Sequence, residues 1–230
     1  MSDPLSHLEP RSVWSHFSGI AGVPRPSKHE ERIVAWVEEL AREHGWEIRK
    51  DDTGNLVLAV PATPGHEGAP TVVIQGHLDM VCEQNKDTAH DFMTEPIRTR
   101  IDGDWVYGTG TTLGADNGIG VAAGLAAATD PDVVHGPLEL LLTLDEETGL
   151  TGAKNLDASI ITGRTLLNLD SEEDGVIYVG CAGGADVHLS LPATHESRAA
   201  GLAPFLLEVT GLRGGHSGLN IGENRGNAVA

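Results

Sequence analysis

Short apolar segments of the kind found in buried strands constrain the fold of this chain more than any other feature. TVVIQG at Thr71–Gly76 and LELLLTL at Leu138–Leu144 have the length and composition of strands that are covered on both faces. TLLNL at Thr165–Leu169 is a third segment of this type, and Val176–Val179 is a fourth. We therefore expect a sheet whose central strands are buried.

Helical patterns alternate with these strands. Apolar residues recur at helical spacing over residues 28–44, where Ser27 and Glu30 form a capping box and Gly45 is a natural stop. A second helix is predicted over Ile119–Thr129, which is rich in alanine. Further short strands are predicted at Glu47–Lys50, Leu56–Val60 and Trp105–Tyr107. This alternation predicts the α/β class, as a three-layer sandwich with a mainly parallel central sheet.

The hydrophobic pattern changes in the last quarter of the chain. Asp186–Leu191 and Phe205–Thr210 indicate strands of another style, and alternation in the first predicts an antiparallel sheet with one buried face. We therefore divide the chain into a first domain, residues 1–184, and the beginning of a second, α+β domain, residues 185–230. Gly226–Ala230 reads as a helix start without a stop, so we expect a fragment or a truncated chain.

Composition excludes some functions. The chain has 34 acidic and 15 basic residues, a formal net charge of −19, so no excess of cations is available to neutralise nucleic-acid phosphates. An anionic membrane surface is disfavoured for the same reason. Two cysteines cannot form a disulfide framework. With no signal peptide or membrane-spanning run in the sequence, we expect a cytoplasmic protein.

Acidic and imidazole side chains follow the predicted strands, and one more lies in the loop before the alanine-rich helix. Parallel strands bring their carboxyl ends to one edge of a sheet. The residues concerned are His77, Asp79, Asp116, Glu146, Glu147 and Asp170. Each one alone has an ordinary explanation: His77 as a strand-end histidine, the aspartates as turn residues or helix caps, and the two glutamates as a solvated acidic turn or partners of a helix dipole. Together their carboxylates repel one another, and two divalent cations relieve that repulsion. Histidine with carboxylates suits zinc or a similar metal, which activates water, and a further glutamate can accept the proton.

Four long motifs occur in order along the chain: QGHLDMV at 75–81, TTLGADNGIG at 111–120, LDEETGL at 144–150 and NLDSEEDG at 168–175. Shorter matches are PRPS at 24–27, HDF at 90–92, VVHGPLE at 133–139, VGCAGGAD at 179–186 and GLRGGHSG at 211–218. This set resembles the M20 metallopeptidase family, in its aminoacyl-histidine dipeptidase branch (also called Xaa-His or cytosol non-specific dipeptidase). The resemblance runs from about residue 5 to the end.

The resemblance implies two divalent metal ions, with zinc favoured over cobalt or manganese. It assigns His77 and Asp170 to one ion, Glu147 to the second, and Asp116 to a bridge between them. In the family another histidine of the second ion comes from a later part of the chain, here beyond residue 230. We therefore expect a complete first metal site and an incomplete second one.

The resemblance also implies roles outside the ligand set. Glu146 is the expected general base, and Asp79 is expected to hold the imidazole of His77 in one tautomer. The resemblance makes residues 1–184 an incomplete catalytic domain and residues 185–230 the beginning of a lid domain. His216 is expected in this lid domain, where it reaches the active site of a partner subunit in a homodimer and stabilises an oxyanion. A cis peptide bond is expected between Asp116 and Asn117.

The implied reaction is metal-dependent hydrolysis of dipeptides, especially Xaa-His. Three alternatives remain open at this point. One is another hydrolase of the same family, a carboxypeptidase or an N-acyl-amino-acid deacylase, which shares the metal ligands. The second is an inactive truncated fragment that only binds metal. The third is an acidic α/β domain without a metal.

Overall fold

The structure, a computed structural model, describes residues 3–171, 173, 175–180, 190–194, 201, 203–213 and 223. The chain divides into two compact units, Met1–Glu172 and Glu173–Ala230. The predicted domain boundary between residues 184 and 185 lies outside the described residues. Most of the predicted strand Asp186–Leu191 and the predicted helix start at Gly226–Ala230 lie outside them as well.

All the assigned helices and strands of the described residues lie in the first unit. The helices are α1 (Arg11–Ala21), α2 (Glu31–Glu43), α3 (Ala115–Thr129) and the single turn α4 (Thr151–Lys154). The strands are β1 (Glu47–Lys50), β2 (Leu56–Val60), β3 (Val72–His77), β4 (Thr99–Asp102), β5 (Trp105–Gly108), β6 (Leu138–Thr143) and β7 (Thr165–Asn168). None of the helices in this part of the chain is long and apolar enough to cross a membrane.

Five strands form one sheet in the order β1-β2-β6-β3-β7, and β4 pairs with β5 in a separate hairpin. Strand β3 runs parallel to both β6 and β7, in a register that pairs Val72 with Leu138 and His77 with Thr143. Strand β2 is antiparallel to its neighbours β1 and β6. Four of the five strands therefore point the same way, which confirms the predicted α/β class with a mainly parallel sheet.

Alternate residues of the strands face two different clusters, as the pleat of a sheet requires. On one face the sheet packs against helices α1, α2 and α3, with a core that includes Phe17, Ile20, Ile33, Val37, Leu58, Val121, Leu125 and Leu140. On the other face Val57, Val73 and Leu141 pack with Ile160. The larger cluster fixes β3 and β6 side by side, and these two strands lead into the site.

Helix α2 was predicted over residues 28–44, and it spans Glu31–Glu43 because the proposed capping box does not form. The Ser27 hydroxyl instead donates a hydrogen bond to Oδ2 of Asp79, at 2.8 Å, and Asp79 lies far from the helix in the sequence. Glu30 Oε1 accepts from the backbone N–H of Lys28 and of Asp145. Helix α1 was not predicted; it places Phe17, Ile20 and Ala21 in the core at helical spacing.

Three of the predicted strands need correction. Val176–Val179 and Phe205–Thr210 are not strands, since an apolar run becomes a strand only when a neighbouring backbone accepts its hydrogen bonds. Strand β7 does form, but it is exposed rather than buried: Leu166 is 52% exposed and Leu167 50%. Its composition resembles a central strand, whereas in the sheet of the described residues it lies at the edge and pairs with β3.

Near the start of β6, the buried side chain of Glu139 pairs with Arg49 of β1 and binds the segment that precedes β7. Glu139 is 2% exposed and accepts hydrogen bonds from Arg49 Nη2 at 2.7 Å, from the backbone and hydroxyl of Thr162, and from the N–H of Gly163. Burial opposes ionisation of Glu139, but the bonds from Thr162, Gly163 and Arg49 prevail and lower its pKa to about 2.

The Glu139→Gln variant is expected to lower the free energy of unfolding by about 2–3 kcal/mol at pH 7, because it removes the buried charge that faces Arg49. A carboxyl with a lowered pKa stabilises the fold above its ordinary pKa of 4.5, and the contribution disappears as the pH falls toward about 2. Urea unfolding at pH 7 and pH 3 should therefore show a smaller acid-induced loss in the variant than in the wild type.

Glu47→Gln is the matched control, because the Glu47 side chain is 71% exposed and lies 3.6 Å from the same Arg49. It should change stability by less than about 0.5 kcal/mol. Equal effects of the two substitutions would contradict the importance of the buried pair.

Candidate metal centre

The carboxyl ends of three parallel strands and the start of helix α3 meet at one edge of the sheet. His77 ends β3, Glu146 and Glu147 follow β6, and Asp170 follows β7. Asp116 lies at the start of α3, where its φ and ψ of −77° and 115° are not helical. The peptide bond between Asp116 and Asn117 is cis, as the resemblance implies.

His77 lies at the centre of this edge. Its imidazole is fully buried, and its Nε2 lies 2.9 Å from Asp116 Oδ1, 3.7 Å from Asp170 Oδ1 and 4.0 Å from Glu146 Oε2. Ligand atoms of His77, Asp116 and Asp170 lie within 4.8 Å of one another, and so do those of His77, Glu146 and Glu147. The first of these groups is the predicted first metal site, and both groups contain His77.

The other ring nitrogen of His77 faces Asp79. Nδ1 lies 3.2 Å from Asp79 Oδ1 and 3.1 Å from the Asp79 backbone oxygen, and because both are acceptors Nδ1 carries the hydrogen and donates it. Nε2 is left to face Asp116 and the other carboxylates. This arrangement matches a metal-binding histidine that is oriented by a carboxylate behind it.

Asp79 is itself held on all sides. It is fully buried and accepts hydrogen bonds from the Ser27 hydroxyl and from the backbone N–H groups of Glu146 and Glu147, at 2.8–3.1 Å. Burial opposes its ionisation, but these bonds and the one from His77 lower the pKa of Asp79 to about 2. One carboxylate thus joins the end of β3 to the loop after β6.

Electrostatic repulsion is evident in the other carboxyls of the cluster. Burial, Asp116 and Glu146 raise the pKa of Glu147 to about 7, and burial raises that of Glu146 despite the nearby His77. The pKa of Asp170 is also raised, first by burial and then by Asp116. For His77, burial lowers the pKa, but Asp116, Asp79 and Asp170 raise it to about 10. In the absence of a metal, the cluster thus binds protons in place of a cation.

The donor set fits one or more divalent metal ions. A neutral imidazole nitrogen and several carboxylate oxygens are ligands that zinc accepts, and the crowded carboxylates provide the negative charge that a cation would offset. A second group, Glu30, Asp79 and Asp145, also brings ligand atoms within 4.8 Å. In this group Asp79 accepts hydrogen bonds from a hydroxyl and from two backbone N–H groups, and Asp145 accepts from two hydroxyls. These bonds give the group an ordinary structural role.

Asn117, which the resemblance places only in the expected cis peptide bond, also makes hydrogen bonds at this site. Its Nδ2 donates to the Leu169 carbonyl at 2.7 Å and to Asp170 Oδ1 at 2.6 Å, so it connects the start of α3 with the residue after β7. The position next to Asp116 in a long motif was the available signal. His216, the predicted contact to a partner subunit, lies outside the described residues.

Comparison with known proteins agrees with this geometry. The profile of Peptidase family M20/M25/M40 matches residues 73–190, which include each of the side chains around His77. The chain is 48% identical over 224 residues to the cytosol non-specific dipeptidase of Escherichia coli K12, a match that covers 97% of this chain and 46% of the relative.

Solved structures of peptidases are also similar to this chain. The aminoacylhistidine dipeptidase of Vibrio alginolyticus matches with a TM-score of 0.77 and 45% identity, over 99% of this chain and 46% of that one. Aminopeptidase PepT of Bacillus cereus matches with a TM-score of 0.59 and 29% identity, over 70% of this chain and 43% of that one. The chain therefore spans about half the length of the relatives that it matches.

Replacing Asp79 tests how strongly its carboxylate holds the site together. In metal-free buffer, Asp79→Ala is expected to lower the free energy of unfolding by about 3 kcal/mol or more, because it leaves the N–H groups of Glu146 and Glu147 without their acceptor. Ser27→Ala removes one donor to the same carboxylate and should cost about 1 kcal/mol. Urea unfolding measures both, and an Asp79→Ala chain as stable as Ser27→Ala would contradict the contacts described.

Proposed function

Because the chain belongs to Peptidase family M20/M25/M40, we propose that it carries the metal-binding part of a metal-dependent dipeptidase that acts especially on dipeptides with C-terminal histidine. The observation that carries the proposal is the buried imidazole of His77, which faces Asp116, Asp170 and Glu146 with Nε2 and Asp79 with Nδ1. The names of the Escherichia coli and Vibrio alginolyticus relatives support the substrate class.

We assign the ligands in two groups. His77 and Asp170 would bind the first ion, Glu147 would bind the second, and Asp116 would bind both. Two observations support the assignment. Ligand atoms of His77, Asp116 and Asp170 lie within 4.8 Å of one another. Burial raises the pKa of Glu147, and Glu147 is close enough to Asp116 for that carboxylate to raise the pKa of Glu147 further. Zinc is the ion we favour, because it accepts imidazole and carboxylate together.

The bound ions would polarise the scissile carbonyl and lower the pKa of the attacking water. Glu146 acts as the general base: its carboxylate lies 4.0 Å from His77 Nε2, beside the ligands but outside the first group. It takes the proton of the attacking water and passes it to the nitrogen of the leaving amine. Burial raises the pKa of Glu146, which makes it a better proton acceptor than an exposed glutamate.

The remaining assignments concern the whole protein. Asp79 would keep His77 in the tautomer that leaves Nε2 to the metal ion, and the two acceptor oxygens of Asp79 around Nδ1 support this. His216 is assigned to oxyanion stabilisation across a homodimer formed by the lid domain, on the family resemblance. We place the protein in the cytoplasm, and the name of the Escherichia coli relative supports this location.

Zinc titration of the metal-stripped chain tests the first ligand group. We expect one tightly bound ion per chain, and loss of tight binding in His77→Ala, because the substitution removes the only nitrogen ligand of the group. Isothermal titration calorimetry with a competing chelator measures the affinity.

His135→Ala is the matched control. His135 precedes β6, at the opposite end of the sheet, and its Nδ1 lies 2.7 Å from the Gly136 carbonyl oxygen. This variant should bind zinc as the wild type does. Tight zinc binding that persists in His77→Ala would overturn the ligand assignment.

Replacing Glu146 separates base catalysis from metal binding. In a preparation that hydrolyses a dipeptide with C-terminal histidine, Glu146→Ala is expected to lower kcat by roughly 10²–10⁴-fold while zinc content stays unchanged. Glu83→Ala changes an exposed acid of the same unit and should have no effect on either quantity. A Glu146→Ala variant that turns over at the wild-type rate would remove Glu146 from the reaction.

A substrate panel tests the specificity. An N-acyl amino acid and a longer peptide, assayed beside the dipeptide, separate the dipeptidase from a deacylase or a carboxypeptidase of the same family. Faster hydrolysis of either one than of the dipeptide would contradict the proposed substrate.

A further inference from the structure

The segment Pro24–Ser27 runs beside the loop that follows β3. Pro26 forms an isolated parallel bridge with Met80, and the Ser27 hydroxyl donates to Asp79 Oδ2. Between them, the side chain of Arg25 is buried with 2% of its surface exposed. Among the described residues it is the only buried lysine or arginine. Burying a guanidinium costs free energy unless hydrogen bonds and opposite charges compensate it, so the contacts of Arg25 indicate its role.

The guanidinium of Arg25 connects two loops that carry candidate metal ligands. Nη1 donates to the carbonyl oxygens of Leu78, at 2.9 Å, and of Asp79, at 2.8 Å, directly after His77. Nη2 donates to the carbonyl oxygen of Gly114, two residues before Asp116. One planar cation thus joins the end of β3 to the start of α3, and its fork of donors reaches both at once.

Glycines on both sides of Asp116 leave room for this cation. A Cβ atom at Gly114 would lie 2.5 Å from Nη2 of Arg25, and Gly114 also has a φ of +70°. A Cβ atom at Gly118 would lie 2.8 Å from the same nitrogen and 3.2 Å from the ring of Phe17. The backbone around Asp116 is therefore shaped to accept the guanidinium, and the spacing of the two glycines in the motif has a physical cause.

Charge supports the same interpretation. Burial lowers the pKa of Arg25 to about 10, while the negative charges of Asp79, Asp116 and Glu147 oppose that change. The side chain is thus a cation at neutral pH. It stands behind the carboxylates, bonded to backbone oxygens of the loops that carry two of them.

We propose that Arg25 is a positioning residue of the metal centre, which holds the His77 and Asp116 loops at the separation that lets both side chains bind one ion. The inference rests on the proposed metal-binding function. Arg25 does not contact the metal itself, and it acts through the backbone of Leu78, Asp79 and Gly114. Metal affinity therefore depends on Arg25 beyond any effect on the stability of the fold.

Variants of Arg25 test the proposal on the complete chain, with zinc and cobalt as probes. Arg25→Met is expected to weaken zinc binding by roughly 10–100-fold, the range found when residues behind a metal ligand are changed. Arg25→Lys should recover part of that loss, because an ammonium keeps the charge but cannot reach both loops with a fork. The absorption bands of bound cobalt should shift in both variants.

Arg49 supplies the matched controls. Its Nη1 donates to the Ile160 carbonyl at 2.6 Å and its Nη2 to Glu139, so it also joins distant segments of the same unit, but away from His77. Arg49→Met and Arg49→Lys should lower stability and leave zinc affinity and the cobalt spectrum unchanged. A merely structural role for Arg25 predicts the same behaviour for the Arg25 variants.

Gly118→Ala disturbs the contact between Arg25 and Gly114 without changing Arg25 itself. It remains informative if Arg25→Met does not fold. Alanine favours a helix, but its Cβ pushes Nη2 of Arg25 away from Gly114, so zinc binding should weaken. Gly124→Ala in the same helix is the control, since its Cβ would lie 3.2 Å from Ile74 and touch no residue of the site. Its zinc affinity should equal that of the wild type.

Unfolding measured with and without zinc at one fixed concentration separates the outcomes, because a ligand stabilises the folded state by an amount that rises with the logarithm of its affinity. If zinc raises the free energy of unfolding less in Arg25→Lys and Gly118→Ala than in the wild type, the proposal is supported. Wild-type zinc affinity and an unchanged stabilisation by zinc in these variants overturn it, and the proposed function survives. A wild-type chain that binds no zinc overturns the proposed function, and the role of Arg25 with it.

Discussion

Mutual repulsion among the carboxylates around His77 is the constraint on which the rest of the first unit depends. Asp116, Asp170, Glu146 and Glu147 gather about one buried imidazole. Burial and the neighbouring carboxylates raise the pKa of Glu147 to about 7, and the carboxylates raise the pKa of His77 to about 10 against the effect of its burial. Such an arrangement is stable only where cations compensate it. His77 takes up a proton, Arg25 lies behind the loops, and a bound metal ion would complete the compensation.

The hydrophobic core supplies the rigidity that brings these charges together. Leucines of β6 and residues of α1, α2 and α3 fill one face of the sheet, and the parallel register of β3 and β6 aligns His77 with Thr143. The loops beyond the strands are then fixed by polar contacts. Asp79 joins the β3 end to the β6 loop, Asn117 joins α3 to Asp170, and Arg25 joins β3 to α3. Hydrophobic packing therefore fixes the positions of the strand ends, and these three side chains fix the loops that carry the site residues.

The sequence predicted the five strands of the main sheet and the residues at their ends because both follow from local patterns. An apolar run of six or seven residues indicates a strand, and parallel strands share an edge wherever they lie in the chain. The contacts of Arg25 and Ser27 could not be predicted in this way, since their partners at Leu78, Asp79 and Gly114 are 50 or more residues distant. The exposure of β7 escaped prediction because composition does not show which strand occupies an edge.

X-ray absorption spectroscopy of the zinc-loaded chain tests the central claim most directly, because it reports the ligand atoms around the ion. The account predicts nitrogen and oxygen ligands at about 2.0–2.2 Å, with an imidazole contribution that is lost in His77→Ala. Sulfur ligands at about 2.3 Å, or a spectrum that His77→Ala leaves unchanged, would contradict it.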